Sequence, residues 1–239
     1  MIKIKISSSV SNFKEKILKN WPVEEYKFPD DKDKMVIFFG MYHKGDYEAF
    51  LNHKGEKMIF WCGSDILNLD SIIVSRLYLA EHKNICENKV EKDKLAEYGI
   101  YAEIHPTFAG NIKDYIFSMK TNGEINVWLC MHEGREKEYG LETIKKMARM
   151  IDYKFHIYGI KKENTKNIIY HGQVSEEQLD KEIKNYQIAC RLNSFEGFSE
   201  VVAKGILLGQ IIESKIKYEK TNDREYWINK LTDFSWQKI

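Results

Sequence analysis

Short apolar runs that end in glycine or a polar turn alternate with stretches of helical spacing along the whole chain. Ile2 to Ile6 reads as a strand, closed by Ser7-Ser8-Ser9, with a short helix over 12–20. Lys34 to Phe39 is a strongly apolar strand ending at Gly40, and Asp46 to His53 is helical. Lys57 to Cys62 ends in Gly63-Ser64-Asp65, and Leu69 to His82 is apolar at helical spacing. A strand over 84–87, a helix to Tyr98 and a strand over 101–104 follow. Strand and helix in strict alternation argue for parallel sheets covered by crossover helices.

The pattern breaks at His105-Pro106, and the stretch to Gly123, with Gly110, Asn111 and Asn122, is irregular. It then resumes. Ile125 to Met131 is a strand, Tyr139 to Ile151 a helix with Leu141, Ile144, Ala148 and Ile151 on one face, and Lys154 to Tyr158 a strand closed by Gly159. Asn167 to Tyr170 is closed by Gly172, and Ser175-x-x-Gln178 reads as a capping box opening the next helix. The expected organisation is a domain over 1–110, a linker over 111–124 and a second domain over 125–239.

The segment with the most chemical content is CRLNSFEGFSEVVAKGILLGQIIES, Cys190 to Ser214. An apolar strand, Ile188 to Leu192, runs into Glu196-Gly197-Phe198-Ser199. A small-residue helix, Gly209 and a second apolar strand follow. Glycine at a strand exit lets the backbone approach a ligand, and a helix N-terminus offers free N–H groups and a positive dipole end to a phosphate. Glu196 at that mouth can accept hydrogen bonds from sugar hydroxyls. Phosphates on amides and hydroxyls on a carboxylate together suit a nucleotide-sugar.

This order of strand, E-G-F-S, helix, glycine and strand resembles the donor-binding segment of retaining GT-B glycosyltransferases, in particular the family 4 type. The resemblance is specific from Ile125 to Ser214 and general over the first 110 residues. It implies two Rossmann-like parallel-sheet domains with an interdomain cleft, in compact form. Glu196 falls on the family's first Glu, and Gly197, Phe198 and Ser199 on the residues that supply backbone N–H groups. Lys204 stands where the family has a second Glu that holds the nucleotide ribose. Either Lys204 takes a phosphate or hydroxyl, or Glu200, one turn earlier, substitutes; a surface Glu200–Lys204 pair is the plainer reading.

A second motif, HEGREKEYG over His132 to Gly140, lies where the family places an Arg and a Lys on the donor diphosphate. Arg135 and Lys137 are the candidates, since fixed cations offset the charge that a departing nucleoside diphosphate gains. The interleaved Glu133, Glu136 and Glu138 equally suit a solvated loop. His171 and Gly172, at a strand exit, are candidate ligand contacts. Arg191, a charge in an apolar strand, either binds phosphate or braces Glu196. In the first domain the strand-end loops Ser7 to Val10, Gly40 to Asp46 and Gly63 to Asp65 are where an acceptor is expected. His43 and Asp65 are their candidate catalytic groups, with a helix cap as the plainer role for Asp65; His105 lies beside the linker.

The resemblance implies a hexosyltransferase-like enzyme that is retaining and metal-independent. Its donor substrate is a nucleotide-diphosphate sugar, with no further cofactor, and its acceptor is a glycan, a small molecule or modified nucleic acid. The alternatives are a nucleotide-sugar epimerase, a non-catalytic GT-B-like nucleotide-sugar binding protein, and a phage-type DNA-modifying sugar transferase. A net charge of +1 argues mildly against the last. The sequence lacks G-x-x-x-x-G-K-[ST], G-x-G-x-x-G, G-x-S-x-G and H-E-x-x-H, which disfavours P-loop, dinucleotide, serine-hydrolase and metal-dependent hydrolase chemistry. Cys62, Cys86, Cys130 and Cys190 form no C-x-x-C pair, and no apolar run reaches spanning length. The MIKIKISSSV start reads as a strand, not a signal peptide. These features point to reduced thiols and a cytoplasmic location.

Overall fold

The computed structural model describes residues 1–117 and 123–235. The chain divides into two compact units. Unit 1 takes Met1–Asn111, Phe195–Phe198 and the chain from Asn229 onward; unit 2 takes Ile112–Ser194 and Ser199–Ile228.

Unit 1 contains β1 (Ile2–Ile6), α1 (Lys14–Asn20), β2 (Val23–Glu25), β3 (Val36–Phe39), α2 (Lys44–Asn52), β4 (Lys57–Phe60), α3 (Ser71–Tyr78), β5 (Lys83–Cys86), α4 (Lys89–Glu97) and β6 (Glu103–Ile104). All pairs are parallel, in the order β2-β1-β3-β4-β5-β6. The register is set by burial on both faces: all four residues of β3 are buried, and Ile4 pairs in step with Ile37. Val36, Phe38, Phe50, Ile59, Trp61, Leu77 and Leu95 form the core beneath α2, α3 and α4. Ile4, Ile17, Trp21, Ile37, Phe39, Phe60 and Ile85 form the core on the opposite sheet face.

Unit 2 contains β7 (Asn126–Cys130), α5 (Leu141–Met150), β8 (Lys154–Tyr158), β9 (Ile168–Gly172), α6 (Glu176–Ile183), β10 (Ile188–Arg191), α7 (Glu200–Leu208), β11 (Ile211–Ser214) and the first residues of α8 (Arg224–Thr232), which passes into unit 1 at Asn229. Its parallel order is β11-β10-β7-β8-β9. Helix α7 is buried from Val201 to Leu208, which its Val, Ala, Gly, Ile and Leu content demands. Gly205 lets it lie on the sheet: a Cβ there would run into Ala189 and Ile212.

Both sheets match the expected α/β class. Three boundaries differ from the sequence reading. The three-residue edge strand β2 is too short to show a period. The apolar stretch from Leu69 forms its helix only over Ser71–Tyr78, where the Asp70 side chain caps it by accepting from Ile73 N–H. The expected linker is partly structured. Its residues 112–117 group with unit 2, where the Tyr115 hydroxyl donates to Asp180 (2.7 Å) and Arg224 donates to the Tyr115 carbonyl (2.8 Å). Asn122, expected in that linker, lies outside the described residues. Among the described residues the four cysteines are free, and no helix is long and apolar enough to cross a membrane.

Candidate functional site

In each sheet the chain reverses its direction of winding once, and the strand ends at such a reversal leave a crevice for a ligand. In unit 2 the reversal lies between β7 and β10. The loops leaving these two strands carry the HEGREKEYG motif and the approach to E-G-F-S. Arg191 and Arg135 meet there on one ring: their guanidinium carbons lie 4.4 and 5.7 Å from the centre of Tyr139, which is buried. Arg191 also donates to the Cys130 carbonyl (3.1 Å), which ties β10 to the exit of β7. Arg135 is half-exposed and forms a two-pronged pair with Glu138 at 2.6 and 2.9 Å. Lys137 is exposed on the same loop. At this reversal the buried Asn193 carries an Oδ1 with no hydrogen-bond partner among the described residues.

His171 and Gly172 are not brought to this place. They end β9, the edge strand on the far side of β8 from β7. The His171 ring instead stacks on Tyr158 (4.3 Å), and its Nε2 sits 3.0 Å from His156 Nδ1. It belongs to a polar aromatic network that sequence reading missed. His156 Nε2 faces Asn126 Oδ1 (2.9 Å), Tyr158 donates to Glu182 (2.6 Å), and the Tyr186 hydroxyl reaches both Tyr158 (3.0 Å) and His156 (3.1 Å). Alternation in β8 and β9 puts His156, Tyr158 and His171 on one sheet face, a period-two signal visible only once Glu182 and Tyr186 on the α6 side supply polar partners.

The E-G-F-S segment is split. Ser199 caps α7, its Oγ accepting from Val201 N–H. Glu196, Gly197 and Phe198 group with unit 1, where Glu87 and Asn88 at the exit of β5 receive them. Asn88 donates to the Glu196 carbonyl (2.7 Å). The Glu87 carboxylate accepts from Phe198 N–H (2.8 Å) and from the Thr107 hydroxyl (2.6 Å). Gly197 passes so close that a Cβ would run into the Glu87 carboxylate, and its N–H nitrogen lies 2.8 Å from where a Cβ on Gly63 would stand. The glycine is thus needed for approach to a protein carboxylate. The Phe198 amide, expected on a phosphate, is spent on Glu87.

Lys204 also departs from expectation. It is 2% exposed, and its ammonium group donates to Asp180 (2.8 Å) and Glu176 (3.1 Å) on α6 rather than to a surface partner on its own helix. The field of Glu200, together with Tyr115 and Asp180, outweighs burial and holds its pKa well above the usual lysine range. The ammonium also lies 5.5 Å from the centre of the Tyr115 ring. Glu200 opens α7, one turn before Lys204.

In unit 1 the reversal lies between β1 and β3. Two of the three loops expected to face an acceptor, Ser7 to Val10 and Gly40 to Asp46, meet there. Ser7 donates to Asp46 (2.7 Å), Lys5 pairs with Asp46 (2.9 Å), and Ser9 Oγ lies 2.8 Å from His43 Nε2. His43 is exposed at the N-cap of α2, its N–H donating to Asp46. Asp65 is placed otherwise. It is fully buried, and its oxygens accept backbone N–H bonds from Met41, Cys62 and Ile66 at 3.0–3.1 Å, so it binds three chain segments together rather than facing an acceptor. Burial pushes its pKa up to about 6 and the amides limit the rise. His105 lies 3.5 Å from Glu103. Glu91, buried behind Glu87, accepts from the Glu87 N–H (2.6 Å), and its Oε1 has no hydrogen-bond partner among the described residues. Burial raises both Glu87 and Glu91 above the ordinary carboxylate range, and the neighbouring carboxylates add to the rise.

No family model matches the chain, and no curated protein does. Solved structures do. TarM superposes with a TM-score of 0.57 at 16% identity over 84% of this chain and 48% of its own. A point mutant of S. aureus TarM, in complex with fondaparinux, alpha-GlcNAc-glycerol and UDP, gives 0.52 at 13% over 87% and 50%. Sucrose-phosphate synthase from Thermosynechococcus elongatus gives 0.56 at 10% over 75% and 55%. The lipopolysaccharide outer core galactosyltransferase WaaB in its apo form gives 0.56 at 13% over 82% and 64%. At this identity the likeness is one of fold: two parallel-sheet α/β units as in GT-B glycosyltransferases. The chain spans about half the length of TarM and the synthase.

Proposed function

We propose that the protein is a glycosyltransferase that takes a sugar from a nucleotide-diphosphate donor. The observation that carries the reading is the reversal point of unit 2, where Arg135, Arg191, the start of α5 and the capped start of α7 surround a crevice edge on a GT-B-like sheet. Two guanidinium groups beside one tyrosine ring suit a diphosphate, which takes bidentate hydrogen bonds and two negative charges. Glu196 is the group proposed to hold donor sugar hydroxyls, with Lys137 assisting at the phosphates. In the reaction the bond from the anomeric carbon to the phosphate oxygen breaks and its electron pair leaves with the diphosphate. The acceptor hydroxyl oxygen bonds to that carbon, and its proton passes to the departing phosphate oxygen. Retention of configuration and independence from metal belong to the proposal, as does a cytoplasmic location.

A second reading, a non-catalytic nucleotide-sugar binding protein, is favoured by two observations: the Phe198 amide and Lys204 are already committed to protein partners. One experiment separates the readings. UDP, the nucleotide in the TarM mutant complex, and a panel of nucleotide-sugars are tested for thermal stabilisation and for slow release of free sugar, with and without EDTA. A ligand at 100 times its Kd stabilises by about 2.7 kcal/mol. Stabilisation with sugar release supports the transferase, and stabilisation without release supports the binding protein. No response to any nucleotide or nucleotide-sugar defeats both.

A further inference from the structure

The chain holds seven histidines. His43, His53, His82, His105, His156 and His171 each direct a ring nitrogen at another protein group. His132 is the exception: neither of its ring nitrogens has a hydrogen-bond partner among the described residues. It is exposed, and it stands two residues past the end of β7, where the loop leaves the sheet at the reversal of unit 2. Its ring meets that of Tyr139 edge-on, with centres 5.6 Å apart. Tyr139 is the ring that also has Arg191 at 4.4 Å and Arg135 at 5.7 Å, so three basic side chains surround it. This setting favours the neutral imidazole in the protein by itself. Partial burial and the fields of Arg191 on β10 and Arg135 on its own loop lower the His132 pKa. Of the other charges on that loop, Glu138 pairs with Arg135 and Glu136 with Lys162 (3.2 Å), while Glu133 and Lys137 are exposed. A diphosphate held by the same guanidinium groups reverses the balance, because an anion beside an imidazole favours its charged form.

We propose that His132 is a further binding residue of the donor subsite, one that takes up a proton from solvent when a diphosphate arrives and donates the new N–H to a phosphate oxygen. The inference rests on the glycosyltransferase reading, since it takes the Tyr139 cluster to be where the diphosphate sits. The step balances: the ring nitrogen's lone pair accepts one proton from water or buffer, no other bond changes, and the imidazolium carries the charge. This gives His132 a role that the arginines do not fill. Guanidinium groups stay charged at every working pH, and Arg135 already shares its charge with Glu138. The imidazole adds positive charge only when negative charge is beside it. As the bond from sugar to phosphate breaks, the departing diphosphate gains negative charge, and the imidazolium then interacts with it more strongly than with the bound substrate.

The test is titration calorimetry of the intact protein with UDP, ADP, GDP and dTDP, the tightest binder being carried forward. Titrations at about pH 7, in phosphate-free buffers of differing ionisation heat, read the protons taken up per nucleotide. Parent and His132→Gln are compared, a substitution that an exposed side chain without hydrogen bonds tolerates. The nucleotide's own terminal phosphate titrates at about pH 6 and contributes alike to both proteins, so it cancels in the difference. The expected result is an uptake larger in the parent by about half a proton or more per nucleotide. His132→Gln should bind roughly tenfold more weakly than the parent at about pH 6.5, and within about threefold of it at about pH 8.5. A merely structural role for the ring would lower affinity without changing the proton count. Binding with equal proton uptake in parent and variant overturns the inference and leaves the donor reading in place. Absence of saturable binding of all four nucleotides to the parent overturns both.

Discussion

At the strand exits of unit 1, Asp65, Glu87 and Glu91 are buried and held largely by backbone N–H groups. On α7 of unit 2, Lys204 is buried between the side chains of Glu176 and Asp180. Both units are parallel sheets under crossover helices, yet they meet the cost of buried charge differently. Amides carry no net charge, so carboxylates held by them keep most of the desolvation cost and their pKa values rise. An ammonium between two carboxylates recovers that cost by attraction, and its pKa rises for the opposite reason. The first arrangement fastens loops to one another; the second fastens α6 to α7 and, through Tyr115, the segment entering unit 2.

The comparison is tested most severely at Lys204. Lys204→Met removes the ammonium group from between Glu176 and Asp180, and breaking a buried pair costs about 3–5 kcal/mol. The expected outcome is a loss of that size in urea unfolding of unit 2, followed by pulsed hydrogen exchange on peptides from β7, β8 and α7. A loss below about 1 kcal/mol, the range of an exposed ion pair, would place the ammonium at a solvated surface. If Lys204 serves the nucleotide as well, UDP affinity falls further than stability accounts for.

Glu87 is the counterpart in unit 1. Glu87→Ala strands the Phe198 N–H and the Thr107 hydroxyl, at about 1–3 kcal/mol each before any water enters, so roughly 2–4 kcal/mol is expected in total. Glu87→Gln keeps one acceptor and should lose about half as much. Gly197→Ala should resemble Glu87→Ala in loosening the 195–198 segment, because its Cβ meets the same carboxylate. Exchange protection at Phe198 reads all three; unchanged protection in Glu87→Ala would remove the anchor from the picture.

How legible these features were in the sequence follows from their range. The strands were legible because burial on both faces leaves unbroken apolar runs such as Val36 to Phe39, and α6 because Ser175 and Gln178 form its cap locally. The crevice edge in unit 2 was partly legible, since Arg135 and Arg191 lie in motifs with an order of their own. The pairing of Glu87 with Phe198 joins residues 111 apart in the chain, and that of Lys204 with Asp180 joins residues 24 apart. Nothing local distinguishes Glu87 from the many solvated glutamates, or shows that Lys204 reaches Glu176 and Asp180 on α6, the helix before its own. His171 was misplaced for the same reason: a histidine at a strand exit looks the same whether it faces a ligand or a neighbouring histidine.

The smallest expected effect is the pH dependence, in which the two units should have opposite signs. In unit 2, burial and the neighbouring His171 lower the His156 pKa to about 4, from an ordinary 6.5. Between these values the unfolded chain binds a proton that the folded one refuses. Stability is therefore full above about pH 6.5 and falls as the pH drops toward 4. Because the ring is partly within reach of solvent, the loss is discounted to on the order of 1 kcal/mol. In unit 1, Asp65 has its pKa raised to about 6 from 3.8, so here the folded state holds the proton that the unfolded state has released. Its contribution is present below 3.8 and is lost as the pH rises through 6, and Glu87 and Glu91 act in the same direction. Unfolding midpoints measured by exchange, unit by unit from about pH 4 to 8, should therefore slope upward with pH for peptides of β7 and β8 and downward for those of β4 and β5. His156→Gln should flatten the first slope and leave the second, while Glu91→Gln, which mimics the protonated acid, should reduce the second alone. Parallel slopes in the two units would mean that buried charge is handled alike in both, and the contrast between amide-held acids and the histidine network would fail.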